Sequence, residues 1–200
     1  MFIVGIDAGH GGSNTGVIRG TQGFDQIVEK DYNLLVAKEV ISLLHGTKQI
    51  TGTLLRSCDQ NMSLGDRDAK ATELSADFIL SIHCNASPDP HVRGLMAFYW
   101  PGNHRTRWVS EALTKASPEA LSRRKNAVIS TAKGVPWKKD ARAVVGAYRA
   151  PCVLAEIGHV TNSEDRRYLL KPYAPLAVAN CLVAGIIKAF ELKEESIYGV

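Results

Sequence analysis

The chain has 200 residues, of which 45% are hydrophobic and 22% are charged, as in an ordinary globular protein. A domain of this length buries roughly 70% of its unfolded surface, so it needs no disulfide framework or structural metal to fold. The formal net charge of +4 is mild. Because no basic stripe with interleaved aromatic residues is present, the composition argues against a nucleic-acid-binding protein.

Predicted strands and helices alternate along the chain. Residues 2–7 are predicted to form a strand, and a glycine-rich loop follows to about residue 28. Apolar residues at helical spacing predict a helix over 30–45 that Gly46 ends. The later predicted elements are strands at 49–55, 77–83, 94–99, 126–132, 143–148 and 151–157, and helices at 63–74, 103–115 and 172–192.

This alternation predicts an α/β fold, a single-domain sandwich with a mostly parallel twisted sheet flanked by helices. The domain is predicted to span residues 1–192, and the charged C-terminal tail at 193–200 is expected to be frayed. The four cysteines are too sparse for a disulfide scaffold and are expected to be reduced.

The N-terminus and the apolar runs bear on export and membranes. No basic region precedes an apolar stretch with a small-residue cleavage site, so no Sec-type export signal is expected. No apolar run is expected to reach the length needed to span a bilayer, which predicts that the chain does not insert into membranes.

Three predicted strands are followed by, or end in, a group that can bind a metal or transfer a proton. These groups are His10, His83 and Glu156. In an open α/β sheet, ligands bind in the crevice outside the carboxyl ends of the strands, so the three side chains are expected to meet there. Glu29 stands before the first long helix, where the helix N-terminus favours an ionised carboxylate.

Two imidazoles and one carboxylate match the protein ligands of hydrolytic zinc sites, which leave one position open for water. Glu156 closes a strongly apolar strand, where burying a carboxylate without a purpose is costly, so it is the candidate general base. Each residue taken alone has a plainer alternative. A strand-end histidine is often a hydrogen-bonded structural residue, and spacing does not distinguish Glu29 from Asp7, Asp25 or Asp31.

Four ordered blocks resemble one family, the zinc-dependent N-acetylmuramoyl-L-alanine amidases of the amidase-3 type. The blocks are residues 6–12, 29–34, 81–86 and 154–162, and the segment 56–67 is also similar. The likeness runs from about residue 3 to residue 190, and the blocks stand in the order typical of the family.

The resemblance implies that His10, Glu29 and His83 hold Zn2+ and that Glu156 is the catalytic glutamate. Asn85 and Arg67 fall at family-typical positions, as residues that support the metal ligands, fix a loop or contact the substrate. His159 stands where an aromatic residue or leucine is common. It is interpreted either as a neutral replacement for that ring or as a proton donor or substrate contact at the edge of the site.

The implied reaction is hydrolysis of the amide that joins the lactyl group of N-acetylmuramic acid to the L-alanine of the peptidoglycan stem. The chain shows no separate wall-binding domain and is expected to act as a monomer. Without an export signal, a phage endolysin is the expected role: made in the cytoplasm, released through a holin and active on the cell wall. A secreted parent whose leader was removed is the alternative to this role.

Two other functions remain open at this level. One is a zinc peptidase that uses the same metal chemistry on a bond within the stem peptide. The other is a wall-binding module that keeps the pocket without turnover.

Overall fold

The computed structural model describes residues 1–21, 25–45, 47–122, 127–130 and 139–197. The strands are β1 (Phe2–Ala8), β2 (Ile18–Arg19), β3 (Ile27–Val28), β4 (Ile50–Leu54), β5 (Phe78–Asn85), β6 (Met96–Tyr99), β7 (Ala127–Ser130) and β8 (Cys152–His159). The helices are α1 (Glu29–Leu44), α2 (Leu64–Glu73), α3 (His104–Lys115), α4 (Lys139–Val145), α5 (Ser163–Leu169) and α6 (Ala174–Ile197), with a 3-10 turn at Glu119–Leu121.

Six strands form one sheet in the order β4-β1-β5-β8-β6-β7, and β2 pairs with β3 in a separate antiparallel ribbon. Every pair in the large sheet is parallel except β6 with β8. The carboxyl ends of β1, β5 and β8 therefore lie at the same edge. This arrangement confirms the predicted single-domain α/β fold with a mostly parallel sheet.

Both faces of the sheet are covered, as expected for parallel strands rich in apolar residues. Leu80 and Ile82 of β5 belong to a core shared with α1, α3 and α6, whereas Ile79 belongs to a second core shared with α2 and α4. Alternate side chains of a strand point to opposite faces. The apolar run of β5 is thus explained by burial on both sides.

The structure corrects the strand predicted at 143–148. Residues 139–145 form α4, in which Ala141, Val144 and Val145 pack against the second core at helical spacing. Two adjacent β-branched residues favoured a strand locally, but the i, i+3 and i+4 contacts select a helix. The strand predicted at 126–132 is confirmed only as β7, because its flanking residues lie outside the described ranges.

The ends of two helices also bear on the predictions. Gly46, predicted to end α1, lies outside the described residues. Helix α6 continues past residue 192 to Ile197, so the described part of the predicted tail is helical, and its fraying stays a prediction. Helix α5 was not predicted; its N-cap is Asn162, whose side chain accepts hydrogen bonds from the backbone N–H groups of Glu164 and Asp165.

The expectation that no apolar run could span a bilayer is corrected by α6. Its stretch Ala174–Leu192 has a mean hydropathy of 1.6 and is long and apolar enough to cross a membrane by length and composition. Half of this stretch is buried inside the fold, where α6 packs against α1 and α3. All four cysteines are free thiols in the structure, and their reduced state in solution stays a prediction.

Candidate metal centre and catalytic cleft

Three predicted side chains converge at the carboxyl edge of the sheet. Glu29 Oε1 lies 3.1 Å from His10 Nε2 and 3.1 Å from His83 Nδ1, and the two imidazole nitrogens are 3.2 Å apart. His10 follows β1, His83 lies near the end of β5, and Glu29 is the first residue of α1. Their ligand atoms lie within 4.8 Å of one another, so the cluster could hold a metal ion.

The backbone around the cluster is adapted to close packing. His10 has a φ of 62°, a left-handed conformation that costs a non-glycine residue about 1–3 kcal/mol and is concentrated at functional sites. A Cβ atom on Gly9 would lie 2.2 Å from the ring of His83. Gly16 also has a φ of +62°, and a Cβ there would lie 2.4 Å from Glu29 Oε2. Glycine is therefore required at both positions.

Hydrogen bonds fix two of the three side chains from outside the cluster. Asn14 Oδ1 lies 2.9 Å from His10 Nδ1. An amide oxygen only accepts, so Nδ1 carries a proton and Nε2 is the ring nitrogen that faces Glu29. Glu29 Oε2 accepts from the backbone N–H of Val17 at 2.8 Å, and Oε1 accepts from that of Cys84 at 3.1 Å.

The electrostatics keep a negative charge in the cluster. Burial alone would raise the pKa of Glu29, but hydrogen bonds with His10 and His83 and their charges outweigh it and hold that pKa well below its usual range. Burial alone would lower the pKa of His10, but the Glu29 carboxylate raises it above the ordinary value. An ionised carboxylate between two imidazoles is a ready binding site for a cation.

Arg67 fixes the turn that carries His10. Its Nη1 pairs with the buried Asp7 carboxylate and donates to Ala8 O at 3.0 Å, and its Nη2 donates to His10 O at 2.7 Å. Burial would raise the pKa of Asp7, but the Arg67 charge helps to lower it. Of the roles open to Arg67, these contacts favour fixing the loop.

Three further supporting residues were not named as site residues from the sequence: Asn14, Arg56 and Tyr148. Buried Arg56 donates to Ala8 O at 2.7 Å and to Lys30 O at 2.6 Å, which joins the end of β1 to the start of α1. Tyr148 donates to Asp7 Oδ2 at 2.7 Å. Arg56 lies in the segment that resembles the family, so the sequence contained a signal for this residue. No local pattern identifies Asn14 or Tyr148.

Glu156 lies beside the cluster on the neighbouring strand. It pairs with His83 in the parallel β5–β8 ladder, so the two side chains share one face of the sheet. Its Oε2 is buried and has no hydrogen-bond partner among the residues that the structure describes. Burial and the nearby charge of Glu29 raise the pKa of Glu156 to about 8. A carboxyl group with such a pKa can exchange protons near neutral pH.

A cleft of about 590 Å³ opens next to Glu156. Its described lining residues are Asn85, Ala86, Ser87, Pro88, Val92, Met96, Phe98, Ala141, Glu156 and His159. Asn85 Oδ1 accepts from the backbone N–H of Ala86 at 2.8 Å, so part of this amide shapes the loop after β5.

His159 is buried at the edge of the cleft. Its Nδ1 lies 3.2 Å from Gly94 O, and its backbone N–H donates to Asp165 Oδ2 at 2.9 Å. These contacts anchor His159 to the loop before β6 and to α5. The structure thus brings Asn85 and His159 to the cleft, and Arg67 to the turn behind His10.

Comparison with known proteins identifies the family. The model of the Amidase_3 family, N-acetylmuramoyl-L-alanine amidase, matches residues 4–188. The chain belongs to this family. The family read from the four sequence blocks is therefore confirmed, and the chain is an N-acetylmuramoyl-L-alanine amidase, an enzyme that cleaves the bond between N-acetylmuramic acid and L-alanine in peptidoglycan.

Individual relatives cover nearly the whole chain. The structure of the catalytic domain of CwlV, an N-acetylmuramoyl-L-alanine amidase from Bacillus (Paenibacillus) polymyxa var. colistinus, superimposes with a TM-score of 0.79 at 25% identity, covering 96% of this chain and 99% of that one. A putative N-acetylmuramoyl-L-alanine amidase from Buchnera aphidicola is 26% identical over 94% of this chain and 96% of its own length. The endolysin of Bacillus phage SPP1 is 27% identical over 97% of this chain and 68% of its own length.

Proposed function

We propose that this amidase depends on zinc, that His10, Glu29 and His83 bind the ion, and that Glu156 is the general base and acid. One observation carries the proposal. Three ligand atoms within 4.8 Å of one another stand beside a buried carboxylate, one oxygen of which has no hydrogen-bond partner in the described part of the chain. The three ligand atoms suit a cation, and the buried carboxylate oxygen suits a proton.

The residues present fit zinc. Two imidazole nitrogens and one carboxylate oxygen are ligands that zinc accepts, and a three-residue set leaves one position open. His10 is oriented by Asn14, and Glu29 is held ionised, so little rearrangement is needed for binding. A zinc ion held there would polarise the scissile carbonyl and make a water molecule more acidic.

Glu156 performs the proton transfers in this mechanism. Its carboxylate accepts a proton from the attacking water as the new carbon–oxygen bond forms at the lactyl carbonyl. The protonated side chain then donates that proton to the amide nitrogen as the carbon–nitrogen bond breaks. This donation restores the carboxylate of Glu156. The products are N-acetylmuramic acid, which releases its remaining proton to solvent to become a carboxylate, and a stem peptide with a free L-alanine amino group.

Digestion of purified peptidoglycan sacculi tests this proposal. We expect mass spectrometry to find free stem peptides that begin with L-alanine, loss of their release after chelation, and recovery on adding zinc. A cut within the stem would favour the zinc peptidase, and tight wall binding without released stems would favour the wall-binding module. Full turnover by metal-stripped protein would rule out the proposed zinc chemistry.

The biological role proposed for the enzyme is lysis by a phage-encoded endolysin that is made in the cytoplasm and acts on the cell wall after release. Its support is the 27% identity to the SPP1 endolysin over 97% of the chain. Expression in a bacterial host with and without a co-expressed holin tests the role. Lysis only with the holin is expected, and equally fast lysis without it would contradict release through a holin.

The enzyme is further proposed to work as a monomer that does not insert into membranes. His10, Glu29, His83 and Glu156 all belong to one chain, and α6 is packed against α1 and α3. Light scattering should give the mass of one chain, about 21.7 kDa, and flotation with lipid vesicles should leave the protein in the unbound fraction. A dimer, or co-flotation with vesicles, would overturn the corresponding part.

A further inference from the structure

Three side chains form a row across the sheet: His83, Glu156 and Met96. Glu156 of β8 pairs with His83 of β5 on one side and with Met96 of β6 on the other. Paired residues on neighbouring strands point to the same face, and adjacent strands lie about 4.8 Å apart. Glu156 therefore stands between a cluster residue and Met96.

Met96 lines the cleft on the side of Glu156 that is away from the cluster. Its side chain is partly buried and packs against the second core, which includes Phe98 and against which Ala141 also packs. Both of these residues line the cleft as well. Apart from Glu156 and His159, the lining side chains that the structure describes carry no ionisable group. This wall suits an uncharged, apolar part of a substrate.

The reaction determines which part of the substrate reaches this wall. The scissile carbonyl must lie at the metal cluster, and the leaving nitrogen must lie within hydrogen-bond reach of Glu156. Along the row from His83 to Met96, the substrate therefore runs from its acyl group, through the nitrogen, to the group on that nitrogen. In an N-acetylmuramoyl-peptide, that group is the first amino acid of the stem.

We infer that Met96 is a specificity-determining residue that contacts the side chain of the first stem amino acid and limits its size. The inference rests on the proposed function, because the substrate's direction follows from the roles of the cluster and Glu156. Beside the thioether of Met96, the methyl group of L-alanine is accommodated, and a longer branched side chain meets the wall.

Synthetic N-acetylmuramoyl-peptides with glycine, L-alanine or L-leucine as the first stem residue test this inference. Released peptide is quantified by chromatography to give kcat/KM for each substrate. Met96→Ala should raise the L-leucine to L-alanine ratio of kcat/KM at least about 10-fold, since one methylene in an apolar pocket changes selectivity by about 10–200-fold. Met96→Trp should instead raise the glycine to L-alanine ratio.

Met62→Ala is the matched control, because it makes the same change at another partly buried methionine that does not line this cleft. It should leave both ratios unchanged. If the Met96 variants alter all three substrates in equal proportion, Met96 only supports its neighbours and the inference is overturned. If Met96→Ala fails to fold by circular dichroism, Met96→Val removes less volume and must shift the first ratio in the same direction.

Failure of the inference differs from failure of the proposed function. Unchanged ratios in an enzyme that releases L-alanine stems and requires zinc would overturn only the role of Met96. A wild-type enzyme that does not cleave the L-alanine substrate, or that does so without zinc, would overturn the proposed function itself.

Discussion

Glu29 and Glu156 lie at the same edge of the sheet and experience opposite surroundings. Both oxygens of Glu29 accept backbone hydrogen bonds, and two imidazoles face one of them, so the pKa of Glu29 is held well below its usual range. Glu156 keeps a buried oxygen without a partner among the described residues, and burial raises its pKa to about 8.

The proposed assignment gives one residue type two tasks in a single site. A carboxylate saturated with hydrogen-bond donors stays ionised and suits a cation, whereas a carboxylate with a free buried oxygen suits a proton. The number of donors that the fold aims at each side chain makes the difference. Changing either side chain, or its supports, therefore tests the assignment.

The largest effect is expected from Glu156→Gln, which preserves size and removes the proton acceptor. We expect kcat/KM to fall by about 10²–10⁴-fold, the range typical of a lost general acid–base group. Zinc content measured by elemental mass spectrometry should match wild type, because Glu156 is not among the proposed ligands. A near-wild-type rate would remove Glu156 from the mechanism.

The next effect concerns the support of the turn that carries His10. Arg67→Ala leaves the buried Asp7 carboxylate without its ion pair, so the free energy of unfolding should drop by about 3–5 kcal/mol in urea titrations. Arg107→Ala breaks an exposed helix pair with Glu111 and should cost at most about 1 kcal/mol. Equal losses in the two variants would mean that the Asp7–Arg67 pair contributes no more than a surface pair.

Asn14→Ala should weaken zinc binding while sparing the ligands themselves. Without Asn14 Oδ1, the proton on the His10 ring is no longer confined to Nδ1, and loss of such a partner typically lowers metal affinity 10–100-fold. Competition with a fluorescent chelator measures the affinity. Asn180→Ala, which changes a surface residue of α6, should bind zinc as tightly as wild type; matching losses in both would argue against orientation by Asn14.

The smallest effect is a pH dependence of stability in the metal-free protein. Because the folded-state pKa of Glu156 is raised from 4.5 to about 8, the folded state binds the proton more tightly than the unfolded chain. The contribution of this group to stability is therefore fully present below about pH 4.5 and is lost as pH rises toward 8. Glu156→Gln removes this titration. The melting temperature of the variant minus that of wild type should therefore increase as the pH rises from 5 to 8.5.

Thermal scans in chelator measure this gain, which should be at least about 2–4 °C, the shift that 1 kcal/mol produces in a domain of this size. The other titrating groups are common to both proteins, so the difference between them isolates Glu156. A difference that stays constant across the pH range would show that Glu156 does not titrate there, and the contrast with Glu29 would be lost.

The local sequence predicted some parts of the fold correctly and did not predict others. The apolar runs of β1, β5 and β8 predicted buried strands, because a strand that is buried on both faces has apolar residues at consecutive positions. Helix α4 was predicted as a strand from Val144 and Val145, because a short apolar segment has no period long enough to distinguish the two structures. Short helix α5 depends on the Asn162 cap and left no periodic signal.

The proposed ligand Glu29 shows the same limit within the site. Spacing did not distinguish it from three nearby aspartates. In the structure, Asp7 is paired with Arg67, Asp25 lies 3.5 Å from Arg166, and only Glu29 reaches both His10 and His83. The resemblance to a known family pointed to Glu29, because a family pattern reflects residues that come together in many folded proteins. The spacing within one chain holds no such information.

The amino-acid sequence by itself determined the alternation of strands and helices and the placement of His10, His83 and Glu156 near strand ends, because burial and strand direction follow from local apolar patterns. Tertiary structure alone decided which backbone groups donate to Glu29, which residues support His10, and why an oxygen of Glu156 has no partner among the residues described. Those properties depend on atoms brought together from distant parts of the chain, and no local period encodes such distances.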